Sequence, residues 1–385
     1  MLQTCFATTI LCALILMPGS AGGRAFALAG GQASGQGKKH PKEPEQPEPF
    51  KIDKLTQGID LQSLGPVSPD GHSLLLIGKK PDSAPNLYIM NLDNFSLRPP
   101  ITRMRSGVAD PNWSPKGDKV AFAGFDESSF SEIYVLDLST NELHRMTNNN
   151  FTDKQPVFTP DGLRLIYTTD ESPLPDAAFG TLHIDSIPLS GGKGDYFAED
   201  DVSKIEPRVA AGGKTVYVVQ IDEQSGRHSL WQYNLDGKEI RNLTDRKFAR
   251  IQSYVINPHD GTIIIEGQEQ PEQQEDIYVV SASGGDIQSL PNPDLPKRSP
   301  AVSPNGKLTA FIGSGARGNQ LFVYDSTTGN IQQLTNKALN TFSPVFISDT
   351  KILFGSNRLP DQQNEVYLVD LSVPSAQKEE KKEKK

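Results

Sequence analysis

The apolar positions of this chain fall in short runs of β-branched and aromatic residues, separated by clusters of Gly, Pro, Asp, Asn and Ser. That alternation predicts strands and tight turns. Aligning the runs on their aromatic residue reveals seven units, centred on Tyr88, Tyr134, His183, Trp231, Tyr278, Phe322 and Tyr367, which recur every 44 to 49 residues. A period of this length is that of a four-stranded propeller blade.

Two further signatures punctuate each unit. One is a turn such as Ser68 to Gly71, Ser114 to Gly117, Thr159 to Gly162 or Ser303 to Gly306, in which Ser or Thr caps, Pro presets φ and Gly accepts positive φ. Its counterparts near Ala210, Asn257 and Ser348 are degenerate, and the weak turn at Ala210 marks the fourth unit as the place to expect distortion. The other signature is a Leu-Thr pair or a relative at the end of the last strand: Leu55-Thr56, Ile101-Thr102, Met146-Thr147, Leu243-Thr244 and Leu334-Thr335. Nine residues after the Thr a Pro opens the next inner strand, as at Pro111, Pro156 and Pro344. Because Leu55-Thr56 precedes the first turn while no such pair follows Tyr367, the N-terminal strand is expected to complete the last blade. The sequence therefore predicts an all-β, seven-bladed β-propeller with an N-terminal outer strand closing the last blade; six blades plus an irregular unit is the alternative.

The turn, the aromatic strand and the Leu-Thr strand together resemble the repeats of the TolB-like β-propeller family, most closely at Asp110 to Gly117. The resemblance runs from about Phe50 to Leu371. It implies a WD40-like repeat protein of the cell envelope that binds a protein or peptide partner without chemistry of its own. The family's founding architecture has six blades behind an α/β domain, whereas this chain has seven units behind a polar segment.

Outside the repeats the chain divides simply. Residues 1–29 read as a signal peptide: the apolar run Phe6 to Met17 is short for a membrane span, Pro18 and Gly19 follow it, and Ala27 to Ala29 offer a small-residue cleavage site. Cleavage predicts a periplasmic or secreted protein with no membrane span, and an uncleaved leader would instead anchor it. Cys5 and Cys12 would leave with the leader, which excludes disulfides and thiol chemistry from the mature chain. Residues 30–49 are too poor in apolar groups to order and read as a disordered linker. Residues 50–375 form the propeller and residues 376–385 a charged tail. The formal charge of -9 argues against a nucleic-acid partner. A monomer is expected.

Catalytic signatures are sparse. The six histidines fall in unrelated positions with no ligand spacing, and His183 fills an aromatic packing position. Oligogalacturonate lyases resemble this architecture, but no match to their His-rich metal site is found here. No nucleophile elbow occurs, and Asp195 with Glu199 to Asp201 lacks the register of a calcium loop. No cofactor is expected.

What remains is geometry. Residues just before each inner strand converge at one mouth of the channel: Leu64, Asp110, Gln155, Glu206, Ser253, Ser299 and Ser343, with Asp60, Asp153, Arg250 and Arg298 a few residues upstream. The candidate binding residues are Asp60, Asp110, Asp153, Gln155, Glu206, Arg250 and Arg298. A non-catalytic interaction propeller is the leading expectation. Its rivals are a saccharide-acting lyase or hydrolase, using carboxylates such as Asp110 and Glu206 as acid and base, and a small-ligand or cation binder.

Overall fold

The computed structural model describes residues 48–125, 130–170, 182–198, 202–210, 212–292, 294–315, 318–336, 340–357 and 363–375. The leader, most of the linker and the charged tail lie outside them. The described residues form seven antiparallel sheets, the blades of one propeller. The chain runs outward through each blade, and the first strands of neighbouring blades touch around most of the ring. These first strands are the inner ones.

Six sheets have four strands. Blade 1 has three, Asp60–Val67, Ser73–Lys79 and Asn86–Asn91, with an isolated bridge from Met90 to Leu97 where the fourth would lie. Pro99 and Pro100 explain this, since neither has an N–H to give a ladder. The expectation of distortion in the fourth unit is thereby corrected. Ser203–Val209, Thr215–Ile221, His228–Asn234 and Glu239–Asn242 make a complete blade despite its poor turn.

The core is distributed rather than central. Its seven apolar clusters each fill one wedge between adjacent blades, as where Leu75 and Ile89 of blade 1 meet Trp113 and Phe122 of blade 2. Such layers exist only while each blade has a neighbour on both sides.

The Leu-Thr signature has a physical role at the blade rims. In each pair the first residue donates its N–H to a carbonyl of the third strand, always at 2.8 Å, from Leu55, Ile101, Met146, Leu243 and Leu334. The threonine then turns its hydroxyl back to accept an N–H from the same strand: Thr56 from Val366 (2.9 Å), Thr102 from Leu87 (3.0 Å), Thr147 from Ile133 (2.8 Å), Thr244 from Leu230 (2.8 Å) and Thr335 from Leu321 (2.9 Å). The side chain continues a ladder that the backbone has left.

Ring closure uses the same device across the whole sequence. Phe50–Lys54 pairs with Glu365–Pro374, which continues to Lys351–Ser356 and Thr341–Phe346. Thr56 also donates to the buried Glu365 carboxylate at 2.5 Å, and the Gly58 N–H meets its other oxygen at 3.2 Å. The N-terminal strand thus completes the seventh blade, as the sequence predicts.

Two outcomes follow from this closure. A chain beginning at Gly58 should aggregate or melt far below one beginning at Pro47, because it exposes the edge of the last blade; equal melting curves would place closure elsewhere. Thr56→Val keeps the shape but strips partners from Glu365 and the Val366 N–H, and should cost about 1–3 kcal/mol in denaturant unfolding.

Candidate functional site

Proline does not open the inner strands, contrary to the sequence reading. It sits inside them: Pro111 within Gly107–Trp113, Pro156 within Asp153–Phe158, Pro344 within Thr341–Phe346. The residue before it adopts a left-handed conformation, with φ of 52° at Asp110, 56° at Gln155, 56° at Glu206, 53° at Ser299 and 47° at Ser343. At each of these sites the pairing register with the second strand slips. These are bulges, where proline, unable to donate to the ladder, is tolerated; the register slips in the inner strands of blades 1 and 5 as well. Where the proline is replaced, by Gly65 or Tyr254, neither Leu64 nor Ser253 has positive φ.

The bulges re-aim side chains and release N–H groups, and adjacent blades use one to satisfy the other. Asp110 Oδ2 accepts the Gln155 N–H at 3.1 Å, and Gln155 Oε1 accepts the Glu206 N–H at 3.2 Å. Gln155 also donates its amide to Glu206 Oε1 and accepts from the Thr168 hydroxyl at 2.9 Å. Arg208 reaches Glu206 Oε2 at 3.2 Å and stands 5.2 Å above the Tyr254 ring. The result is a continuous polar arc across blades 2, 3 and 4, stiffened by Tyr254 of blade 5, whose hydroxyl donates to the Glu206 carbonyl at 2.6 Å.

Electrostatics set the members of the arc apart. Glu206 is buried, and that burial raises its carboxyl above the usual range, opposed chiefly by Arg208. Asp110 is reached by solvent yet surrounded by protein, and desolvation raises it too, against the Gln155 N–H, Lys154 and Arg208. Only Glu206 has an ion-pair partner; Asp110 forms none among the described residues.

Blades 5 to 7 present a different lining. Ser253 and the Ser299 N–H both donate to Glu266, at 2.8 and 3.1 Å, and burial raises that carboxyl. Arg298 bonds Ser314 and, at 3.0 Å, Asn319, which reaches Asn340 of blade 7 at 2.8 Å.

Of the seven candidate residues the structure therefore brings Asp110, Gln155 and Glu206 together. Asp60 instead ties blade 1 to blade 7 through Asn364, whose N–H and amide lie 3.2 Å from its carboxylate. Arg250 stands beside His228, whose pKa is pushed down to about 4 by burial and then by that guanidinium. Asp153 is fully buried between blades 2 and 3 rather than at the mouth. Sequence reasoning missed Arg208, which lies just past its proline, and Glu266, which was detectable as a lone acid in the apolar run Ile263 to Gly267.

A cavity of about 310 Å³ opens elsewhere on blade 4, lined by Val202, Gln220, Asp222, Ser229, Trp231 and Arg246. It shares no residue with the arc. Among the described residues no group of three or more His, Cys, Asp or Glu gathers in a metal-binding cluster, and no helix is long and apolar enough to cross a membrane.

Comparison with known proteins follows the fold. The Tol-Pal system protein TolB of Francisella tularensis subsp. mediasiatica (strain FSC147) is 20% identical over 233 residues, covering 60% of this chain and 51% of that protein. The chain thus spans about half the length of the curated relatives it matches. Among solved structures, an oligogalacturonate lyase in complex with manganese superposes with a TM-score of 0.65 at 17% identity, covering 85% of this chain and 94% of the lyase. A puromycin hydrolase gives 0.62 at 15% identity, covering 77% and 50%. At such identities these structures share the fold alone. Residues 62–301 match the family model described as the TolB beta propeller domain, and the chain belongs to that family.

Proposed function

We propose that this protein is an interaction module of the cell envelope, exported by its leader, whose channel arc receives a peptide or protein segment. The observation that carries the reading is Asp110: an exposed carboxylate, held by a bulge, fixed by the Gln155 N–H and forming no ion pair among the described residues. A rigid acceptor of this kind favours a partner segment that offers cationic or N–H donor groups. The relationship to Tol-Pal system proteins supports an envelope partner.

A second reading rests on the paired behaviour of Asp110 and Glu206. Two carboxyls in one arc, both raised by desolvation, are the raw material of acid–base chemistry, and a lyase shares the fold. Saccharide turnover is what this reading requires.

One experiment separates the two. Wild-type protein, Asp110→Asn and Glu206→Gln are used to capture partners from envelope extract and are screened in parallel on uronides and peptides. The interaction reading expects one or more proteins retained by wild type and lost with Asp110→Asn, without turnover; turnover abolished by either variant would sink it. Because both carboxyls sit above their ordinary range, acidification should weaken capture before ordinary surface carboxylates titrate, and a pH-independent yield would argue against Asp110 as the contact.

A further inference from the structure

Behind the arc, at the junction of blades 2 and 3, two carboxylates are packed together out of solvent. Glu132 heads the third strand of blade 2 and Asp153 the inner strand of blade 3, with 2% and 0% of their surface exposed. Asn149 bridges them, its backbone N–H on Glu132 Oε1 at 2.9 Å and its amide on Asp153 Oδ2 at 3.0 Å. Arg145 adds a second donor to Glu132 Oε1 at 2.8 Å. The remaining oxygen of each carboxyl, Glu132 Oε2 and Asp153 Oδ1, is buried without a hydrogen-bond partner. Two buried carboxylate oxygens without a hydrogen-bond partner are costly to maintain.

The repeat supplies an internal comparison. At the junction of blades 5 and 6 the counterparts of Glu132 and Asp153 are Asp276 and Lys297, and the fully buried ammonium of Lys297 meets Asp276 at 2.7 Å. At the junction of blades 7 and 1 the counterpart Glu365 has both oxygens bonded, by Thr56 and Gly58, with Lys54 3.5 Å away. At these two junctions, then, the fold provides a cation or a full donor set at this place. Between blades 2 and 3 it provides Arg145 for one oxygen of Glu132 and then a second acid, Asp153.

We infer that Glu132 and Asp153 hold a hard, oxygen-preferring divalent cation of the calcium class, where the junction of blades 5 and 6 places the Lys297 ammonium. The donors at hand are all oxygens: the two carboxylate atoms without a partner, the Asn149 amide oxygen, which also accepts the Phe151 N–H at 2.8 Å, and the hydroxyls of Thr147 and Thr169, which hydrogen-bond the Asp153 carboxyl. Hard cations take such sets and complete them with water. The ion would clamp two blades together, and it is independent of what the channel binds. A proton shared by the two carboxyls is the competing occupant. Burial, reinforced by Glu132, raises Asp153 to about 6, so the folded protein holds that proton more tightly than the unfolded chain does. Proton occupancy alone would make stability fall as pH rises from 3.8 to about 6.

The test is thermal melting of the full chain near neutral pH, in chelator and in millimolar calcium or magnesium, for wild type, Asp153→Asn, Glu132→Gln and Asp110→Asn, with calorimetric titration of calcium. A bound ion should raise the wild-type midpoint by about 3 °C or more. The shift should vanish in Asp153→Asn and Glu132→Gln, persist in Asp110→Asn, and titrate to one site. An unchanged midpoint in wild type overturns the inference, as does an equal shift in Glu132→Gln. A wild-type pH slope that Asp153→Asn abolishes, with no calcium response, assigns the site to a proton instead. If Asp153→Asn does not fold, Glu132→Gln and the wild-type titration still decide.

Discussion

The structure depends on the pairing of Phe50–Lys54 with Glu365–Pro374. Each apolar layer lies between two blades, so the two layers flanking the seventh blade are fully covered only when that blade is complete and both its neighbours are in place. The contact that finishes it, Thr56 to Glu365, joins residues 309 apart in sequence. The chain entropy of that closure is recovered only when the last wedge is filled, which makes the ring cooperative and its N-terminal strand disproportionately important.

Once the ring is closed, the bulges give the channel its character. A proline placed inside the inner strand costs a ladder bond, and its predecessor sits at positive φ, a conformation non-glycine residues adopt only when the surroundings fix it. Here the surroundings are the neighbouring blade, whose side chain accepts the released N–H, as Asp110 does for Gln155 and Gln155 for Glu206. The side chains that line the channel are therefore also its scaffold. Mutations in the arc will combine effects on binding with effects on blade registration.

The lining is chemically uneven. Asp110, Gln155, Glu206 and Arg208 form one connected arc on blades 2 to 4, whereas the opposite side carries serines around the buried Glu266 and a separate Arg298, Asn319 and Asn340 chain. Symmetry of the fold with asymmetry of the lining is compatible with the proposed docking of a directional segment, which rests on Asp110. The blade junctions behind the lining follow a separate logic, in which acids at the head of the third strand find a hydroxyl, an ammonium or an arginine according to the blade.

Much of this was legible in the residues. The seven aromatic strands, the Leu-Thr pairs and the missing last strand gave blade number and closure, because each repeat carries its own hydrogen-bonding chemistry at fixed spacing. The Pro column also identified Asp110, Gln155 and Glu206, although the sequence placed them before the strand rather than in a bulge within it. What local pattern could not give was the partner of any side chain. Asp60 and Asp153 look alike on the sequence, each a few residues upstream of its column. One faces Asn364 across the seam of the ring and the other is sealed beside Glu132. Pro99 and Pro100 announced a break in a ladder, yet the sequence reading sought the distortion in the fourth unit, whose strands pair well despite a weak turn. Periodicity along one chain fixes the fold because every blade repeats the same local bonds; burial and charge pairing are decided between blades, where residues from distant repeats meet only after the ring has closed.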